Sequence, residues 1–505
     1  MSKDYDLYIN GQFSKGENEA RLTVINPSDE SVVGSVPSAT LAETDAAVAA
    51  ARLAFDSGVW SGLSPAQRAE ALLRIAAEVK ADQETLVDLL IKESGSTVGK
   101  ANGEVNLAIK TLTYYAKLLQ SPYEEAAIAA DEEAALYSHN FIRREAIGVC
   151  AAIVPWNFPL SLGVWKIAPA LAAGNTIVVK PPSEAPLALL AFAKAVHRAG
   201  LPKGVFNMLT GSGKVIGEAL AAHPLVDKVA FTGSTEVGKR VMSLAAQSNL
   251  KITTLELGGK SANILLEDAD LDEAIDGALF AFLYHSGQVC ESGTRLLVPR
   301  SKYEEVIKRL VERAEKLKIG DPGDPETSIG PVISKRQQEK IAAYISGAIK
   351  EGARLVLGGE PLSGKTFEKG FWVRPTIFAD VKNEMTIARE EIFGPVLSVI
   401  AYDSEEEAIR IANDSIYGLG GGVWSKDYRR AVEVAKQLRT GTVWINSYHL
   451  LSPIAPFGGY KQSGIGRELG LQGLLAYTQT KHIHLDLAND RGARYQRFLG
   501  QATKK

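Results

Sequence analysis

Between Gly148 and Leu257 the chain alternates short apolar runs with amphipathic stretches, an order that few folds accept. Ile177-Val178-Val179 is wholly apolar, follows Gly174-Asn175 and precedes Pro181-Pro182, as expected of a strand buried on both faces. A helix-like stretch from Leu187 stops at Gly200-Leu201-Pro202. The pattern then predicts strand 205–209, helix 215–222, strand 228–231, helix 235–246 and strand 252–257. That spacing implies a doubly wound parallel sheet, which binds ligands beyond the carboxyl ends of its strands.

The same alternation resumes downstream, with helices over 272–284, 303–317 and about 336–351 and strand-like runs at 296–299 and 354–357. At 505 residues the chain is too long for one core, so a second α/β domain over 258–452 is expected. Upstream, residues 1–35 read as small peripheral antiparallel strands with turns at Asn10-Gly11 and Asn26-Pro27. Ser64-Pro65-Ala66-Gln67 is a helix start with an N-cap serine, a proline in first place and a glutamine in third. Segments 137–144 and 480–487 alternate like strands outside the sheet units and are expected to pair at an edge, where oligomers often form. The tail after Asp490 is polar and expected to fray.

A net charge of −3 gives no basic surface for nucleic acid. Two cysteines make no disulfide framework and point to a reducing compartment. No signal segment and no apolar run long enough to span a bilayer is visible, so a cytoplasmic protein without a membrane partner is expected.

Three glycine-rich stretches are candidates for phosphate contact. Gly359–Thr366 has the letters of a phosphate loop but no helix after it, so no helix N-terminus faces an anion. Gly211–Gly217, with Gly213 inside it, lies between a strand and a helix with one residue too many for the dinucleotide fingerprint; turn and cofactor contact fit it equally. In Phe231-Thr232-Gly233-Ser234-Thr235 the small Gly233 and Ser234 allow a pyrophosphate to approach the N-terminus of the next helix. One cysteine, Cys290, sits between Gly287 and Gly293 in a loop suited to presenting a thiol. Cys150 lies in the apolar run 147–154 and reads as structural.

Six stretches in order, Pro155-Trp156-Asn157-Phe158-Pro159, Phe231–Gly238, Glu256-Leu257-Gly258-Gly259-Lys260, Gly287-Gln288-Val289-Cys290, Glu391–Val396 and Pro456–Lys461, resemble the NAD(P)-dependent aldehyde dehydrogenase superfamily over roughly residues 5 to 487. The resemblance implies two doubly wound α/β domains plus a small β oligomerisation extension. Residues 1–130 and 147–257 would form the cofactor-binding domain, with 453–477 returning to it, and 258–452 the catalytic domain; 131–146 and 478–505 would form the oligomerisation segment and tail of a homodimer or homotetramer.

The resemblance also implies roles. Cys290 would add to the aldehyde carbon, creating an alkoxide that expels hydride to the nicotinamide. Asn157 and the Cys290 N–H would hold the oxyanion. Glu256 would activate the water that hydrolyses the thioester, with Lys166 and Glu468 as proton relay and orienting shell. Pro155, Trp156, Phe231, Gly233, Ser234 and Leu257 fall on the cofactor side, Lys180 at the adenosine ribose and Glu391 at the nicotinamide ribose with Phe393 packed nearby.

Ser183 stands where many NAD-preferring relatives carry an acid, and Glu184 follows it, so NADP is open with NAD slightly favoured. Phe158, Trp165 and Phe457 would line the channel for an apolar aldehyde, with Tyr448 and His449 capping its entrance. Glu291, directly after the nucleophile, would raise the thiol pKa and discourage carboxylate-bearing substrates if it faces the pocket, and means little if it faces away. No resident metal is expected. Readings kept beside this one are a coenzyme A-acylating dehydrogenase, a cofactor-independent thiol hydrolase and a non-enzymatic lens-type relative; Asn157, Glu256 and Cys290 together weigh against the last.

Overall fold

The computed structural model describes residues 3–120, 125–127, 138–486 and Leu499. Tyr137, Leu487, most of the expected tail and part of 131–146 lie outside them.

Among the described residues the first sheet has eight strands, in the order Gly464–Ile465, Ile252–Glu256, Lys228–Thr232, Val149–Ile153, Thr176–Lys180, Phe206–Met208, Leu7–Ile9, Gln12–Ser14. Its central strands Val149–Ile153, Thr176–Lys180 and Lys228–Thr232 are buried at every position, which is why their middles read as short apolar runs. They run parallel, with Ile153 opposite both Lys180 and Phe231, and Thr232 opposite Glu256. Their carboxyl ends therefore share one edge, and the loops carrying Pro155–Phe158, Gly233-Ser234 and Leu257-Gly258 leave the sheet on the same side.

The second sheet has seven strands, in the order Arg354–Leu357, Thr376–Ala379, Val396–Tyr402, Arg295–Pro299, Ala262–Leu265, Gly420–Trp424, Thr442–Ile445. All its pairings are parallel except the edge pair Arg354–Leu357 with Thr376–Ala379. A third sheet joins Thr478–Asp486 antiparallel to Ser138–Ala146, with Glu125–Ala127 outside it. The two edge segments expected to pair do so.

Two expectations change. The N-terminal strands are not all peripheral, because Leu7–Ile9 extends the first sheet antiparallel to Phe206–Met208 and Leu7 is fully buried. The helix expected over 215–222 begins as a wide turn, Gly213–Gly217, in which the Glu218 N–H reaches back to Gly213 O and carries Ile216 into the core; only Glu218–Ala222 is α-helical. The predicted cap at Ser64 is present in full: its hydroxyl accepts the Gln67 N–H at 3.3 Å, and the Gln67 side chain accepts the Ser64 N–H at 2.9 Å. The would-be phosphate loop near Gly364 leads only into the three-residue turn Lys365–Phe367.

Asn175 ties the first sheet to the chain's return. Its Oδ1 accepts the N–H groups of Ile147 and Gly148, and its Nδ2 donates to Ala170 O and Tyr477 O, all within the buried interior. Asn175→Ala strips the Ile147 and Gly148 N–H groups and Tyr477 O of this partner, while Ala170 O keeps the backbone N–H of residue 175, and a loss of about 3 kcal/mol is expected from the denaturant midpoint. An unchanged midpoint would show that water replaces the amide freely.

Candidate active site

Helix Leu271–Leu283, capped by Asp270, ends in a sharp turn in which His285 (φ 50°), Ser286 (φ 56°) and Gly287 (φ 72°) are all left-handed. Such a run is costly for residues other than glycine, and outside contacts hold it. Ser286 Oγ donates to Gly330 O at 2.7 Å, and Gln288 Oε1 accepts the Ile333 N–H at 2.9 Å. Only glycine fits at 287, since an added Cβ would lie 2.2 Å from Gly394 O. The next strand, Arg295–Pro299, anchors the far end in the second sheet.

This frame puts Cys290 where two cavities meet. One, of about 370 Å³, is lined by Phe158, Trp165, Tyr284, Glu291, His449 and Phe457, besides Cys290 itself. The other, of about 170 Å³, also contains Cys290 and is lined by Pro155, Trp156, Asn157, Gly233, Ser234 and Leu257, with Glu391 and Phe393 across from them.

Asn157 follows strand Val149–Ile153 and is held from two sides. Its backbone carbonyl accepts Lys100 Nζ at 2.8 Å, and its Nδ2 donates to Gln288 O at 2.9 Å, which ties it to the cysteine loop. The amide keeps a second N–H for other use. Lys100 pairs with Glu104 at 2.5 Å, both side chains fully buried, and Glu104 Oε1 accepts the Leu160 and Ser161 N–H groups at the start of helix Pro159–Ala172. Lys100 also lies 4.2 Å from the centre of the Phe158 ring.

Glu256 ends its strand with both carboxyl oxygens buried and without a hydrogen-bond partner among the described residues. Burial and then the nearby Glu468 push its carboxyl well above the usual range, against the pull of Lys166 and Arg467. Lys166 Nζ donates to Glu468 Oε1 at 2.5 Å and to Thr232 Oγ1 at 2.6 Å. Glu468 and Phe457 exchange backbone hydrogen bonds of 2.8 and 2.7 Å, so this buried network and one wall of the larger cavity move together.

The Cys290 thiol donates to Glu291 Oε2 at 3.1 Å. Burial, then the Glu291 carboxylate, and more weakly Glu391 and Glu256, push the thiol well above its ordinary value. Glu291 thus faces the site. Burial would raise its own carboxyl, but His449 and the thiol outweigh that and hold it below the usual range.

On the other side, Glu391 Oε1 accepts the Gly259 N–H at 3.1 Å, and burial pushes its carboxyl up to about 7. The Trp156 and Phe393 rings meet edge to face at 5.3 Å. Phe231 is turned into the core beneath Gly233, where an added Cβ would lie 2.5 Å from its ring. Lys180, Ser183, Glu184 and Gly213 do not line this cavity. Lys180 Nζ donates to Pro181 O at 2.8 Å and is lowered to about 8 by burial; Ser183 Oγ donates to Gly211 O at 3.1 Å; Glu184 lies 4.0 Å from Arg336.

Tyr448 does not cap an entrance as expected. It is buried, with its hydroxyl donating to Glu291 O at 2.8 Å, while His449 lines the larger cavity. Lys100, Glu104 and Gln337, whose Nε2 donates to Phe393 O at 2.7 Å, escaped the sequence reading. The only signal for the first two is their four-residue spacing on a helix, which solvated pairs share.

An α/β protein built on two large, mainly parallel sheets, with a thiol between two clefts at the strand ends, is the class that fold and site define. The chain belongs to the aldehyde dehydrogenase family, whose model matches residues 13–483. It is 44% identical over 478 residues to a betaine aldehyde dehydrogenase of Bacillus subtilis, covering 95% of this chain and 96% of that one. An aldehyde dehydrogenase of Davidiella tassiana is 43% identical over 483 residues, 96% of this chain and 95% of the other. Among solved structures, a betaine aldehyde dehydrogenase from Staphylococcus aureus in complex with NAD+ superposes with a TM-score of 0.93 at 38% identity, covering 96% of this chain and 95% of that chain.

Lys100→Met should cost about 3–5 kcal/mol of stability, because Glu104 is left buried without its cation. Urea denaturation reads this directly, and a loss below about 1 kcal/mol would mean that Glu104 is satisfied by its two backbone donors alone.

Proposed function

We propose that this aldehyde dehydrogenase works by a covalent route from Cys290 with a nicotinamide dinucleotide as hydride acceptor, and that it releases a free carboxylic acid. The observation that carries this reading is that Cys290 lines both cavities, so one sulfur faces an aldehyde on one side and a cofactor on the other. Sγ adds to the carbonyl carbon, and Asn157 Nδ2 and the Cys290 N–H stabilise the alkoxide. The bound cofactor supplies a hydride acceptor for the carbon so activated. Glu256, with no hydrogen-bond partner among the described residues, takes a proton from water as that water attacks the thioester, and Lys166 and Glu468 pass the proton on. An uncommitted carboxylate favours water over coenzyme A as the acyl acceptor.

The smaller cavity suits a dinucleotide. Glycine at 233 accommodates the Phe231 ring packed against it, and Ser234, which lines the cavity, caps helix Thr235–Ser248, whose N-terminus favours an anion. Glu391 would reach the nicotinamide ribose, with Phe393 beside it. Lys180, Ser183 and Glu184 would serve the adenosine ribose beyond this cavity. We favour NAD over NADP, as the Staphylococcus aureus relative was solved with NAD+ and the Glu184 carboxylate offsets Arg336 at the ribose edge.

The walls formed by Phe158, Trp165, Tyr284 and Phe457 suit apolar aldehydes. They also suit a quaternary ammonium aldehyde of the betaine type, since ring faces attract such cations. In this reading residues 258–452 form the catalytic domain, and the Ser138–Ala146 and Thr478–Asp486 edge joins subunits into a homodimer or homotetramer.

Cys290→Ala should abolish aldehyde-dependent cofactor reduction while leaving cofactor affinity intact; turnover at the wild-type rate would remove Cys290 from the mechanism. Glu256→Gln should give a burst of reduced cofactor followed by slow turnover. Because the Glu256 carboxyl is raised and acts ionised, wild-type turnover should climb with pH over a range above ordinary carboxylate titration. A rate flat across that range would assign the base elsewhere.

A further inference from the structure

The His449 side chain is 2% exposed and that of Glu291 5%, and the two meet at 3.1 Å between Nδ1 and Oε1. The other ring nitrogen, Nε2, faces Ala281 O at 3.1 Å. A carbonyl only accepts, so Nε2 carries a hydrogen. Glu291 Oε2 accepts the Cys290 thiol, so the Oε1–Nδ1 contact needs one further proton between two groups that cannot both lack it. The arrangement that satisfies all three contacts with an ionised carboxylate is an imidazolium bound to Glu291, with the thiol on the other oxygen. Rings of Phe280, Tyr284 and Tyr448 pack around His449 at 4.9–5.4 Å and keep water from replacing these contacts.

We propose that Glu291 takes the thiol proton as Cys290 attacks the aldehyde, and that His449 is a positioning residue that holds Glu291 and carries the charge that offsets the thiolate. The proposal rests on the covalent route above and adds the group that generates its nucleophile. The Sγ–H bond breaks, the proton goes to Glu291 Oε2, and the electron pair stays on sulfur to form the S–C bond. The trio is neutral before and after this transfer. When the thioester is hydrolysed, the same proton returns to the departing sulfur.

Other titratable groups bear on the trio. Tyr284 stands at the helix end, Tyr448 donates to Glu291 O, and Glu256 and Glu391 act on the thiol from the cofactor side. Lys110 and Glu104, from helix Val98–Leu118, line the same cavity. A bystander Glu291 would act through charge alone, disfavouring the thiolate and slowing attack. The two roles predict opposite outcomes.

The test uses the full-length enzyme in a Glu256→Gln background, where the burst of reduced cofactor isolates acylation. Adding Glu291→Gln should lower the burst rate about 100-fold near pH 7, the loss typical of a general base, while iodoacetamide labels Cys290 at lower pH than in the parent. Cys150 is silent in the labelling, being buried with its thiol pushed up to about 12. A burst as fast as the parent's or faster overturns the proton transfer. His449→Gln, a second variant, should move the acid limb of the burst-rate profile to higher pH, because Glu291 loses the partner that holds its carboxyl down; an unmoved limb overturns the positioning role. Absence of any burst in the Glu256→Gln parent counts against the covalent route itself. The labelling profile then still decides the thiol contact, which is overturned if Glu291→Gln leaves the midpoint in place.

Discussion

Three carboxylates, two of them buried and Glu391 half-buried, bear on one thiol, and they come from different parts of the chain. Glu256 ends a strand of the first sheet, Glu291 follows Cys290 itself, and Glu391 lies just before strand Val396–Tyr402 of the second sheet. Burying carboxylates is expensive unless they are paired. Here the pairing is uneven: Glu291 has His449, Glu391 has one backbone N–H, and Glu256 has no hydrogen-bond partner among the described residues. An unpaired carboxylate survives only where the surrounding fold is stable enough to carry it, and such groups cluster at sites that need displaced pKa values.

Two ionic struts provide that stability. Lys100–Glu104 fixes the start of helix Pro159–Ala172 and, through the Asn157 carbonyl, the amide next to the thiol. Lys166–Glu468 joins the middle of that buried helix to the chain's return at Phe457. The larger cavity lies between them, so aromatic walls, amide and thiol are referred to a single helix. The cysteine loop answers to both sheets, since Gly287 packs on Gly394 while Gln288 O receives Asn157.

The fold was legible because burial on both faces writes itself into composition: Ile177-Val178-Val179 and its neighbours can be little else than central strands. Glu256 and Cys290 were legible through the glycines around them, which the structure needs for close approach at Gly258, Gly259 and Gly287. Lys100, Glu104 and Gln337 were not, because a helical residue carries no mark of which neighbour it will meet across 50 or more positions of chain. Phe231 and Tyr448 illustrate the converse. Both stand within or beside motifs, and both turn into the packed interior, because an aromatic ring gains more from burial than from lining a wet cleft. Leu7 escaped for a topological reason, as an antiparallel strand added from the far N-terminus leaves no trace in the alternation of the central units.

The claim on which the rest depends is that the substrate passes through a bond to Cys290. Intact-protein mass spectrometry of the Glu256→Gln variant, quenched in acid soon after mixing with an aldehyde and NAD, tests it most directly. One acyl group per chain, mapped by peptide analysis to Cys290 and removed by hydroxylamine, is the predicted result. Turnover to reduced cofactor with no added mass, or with the acyl group on any other residue, would contradict it.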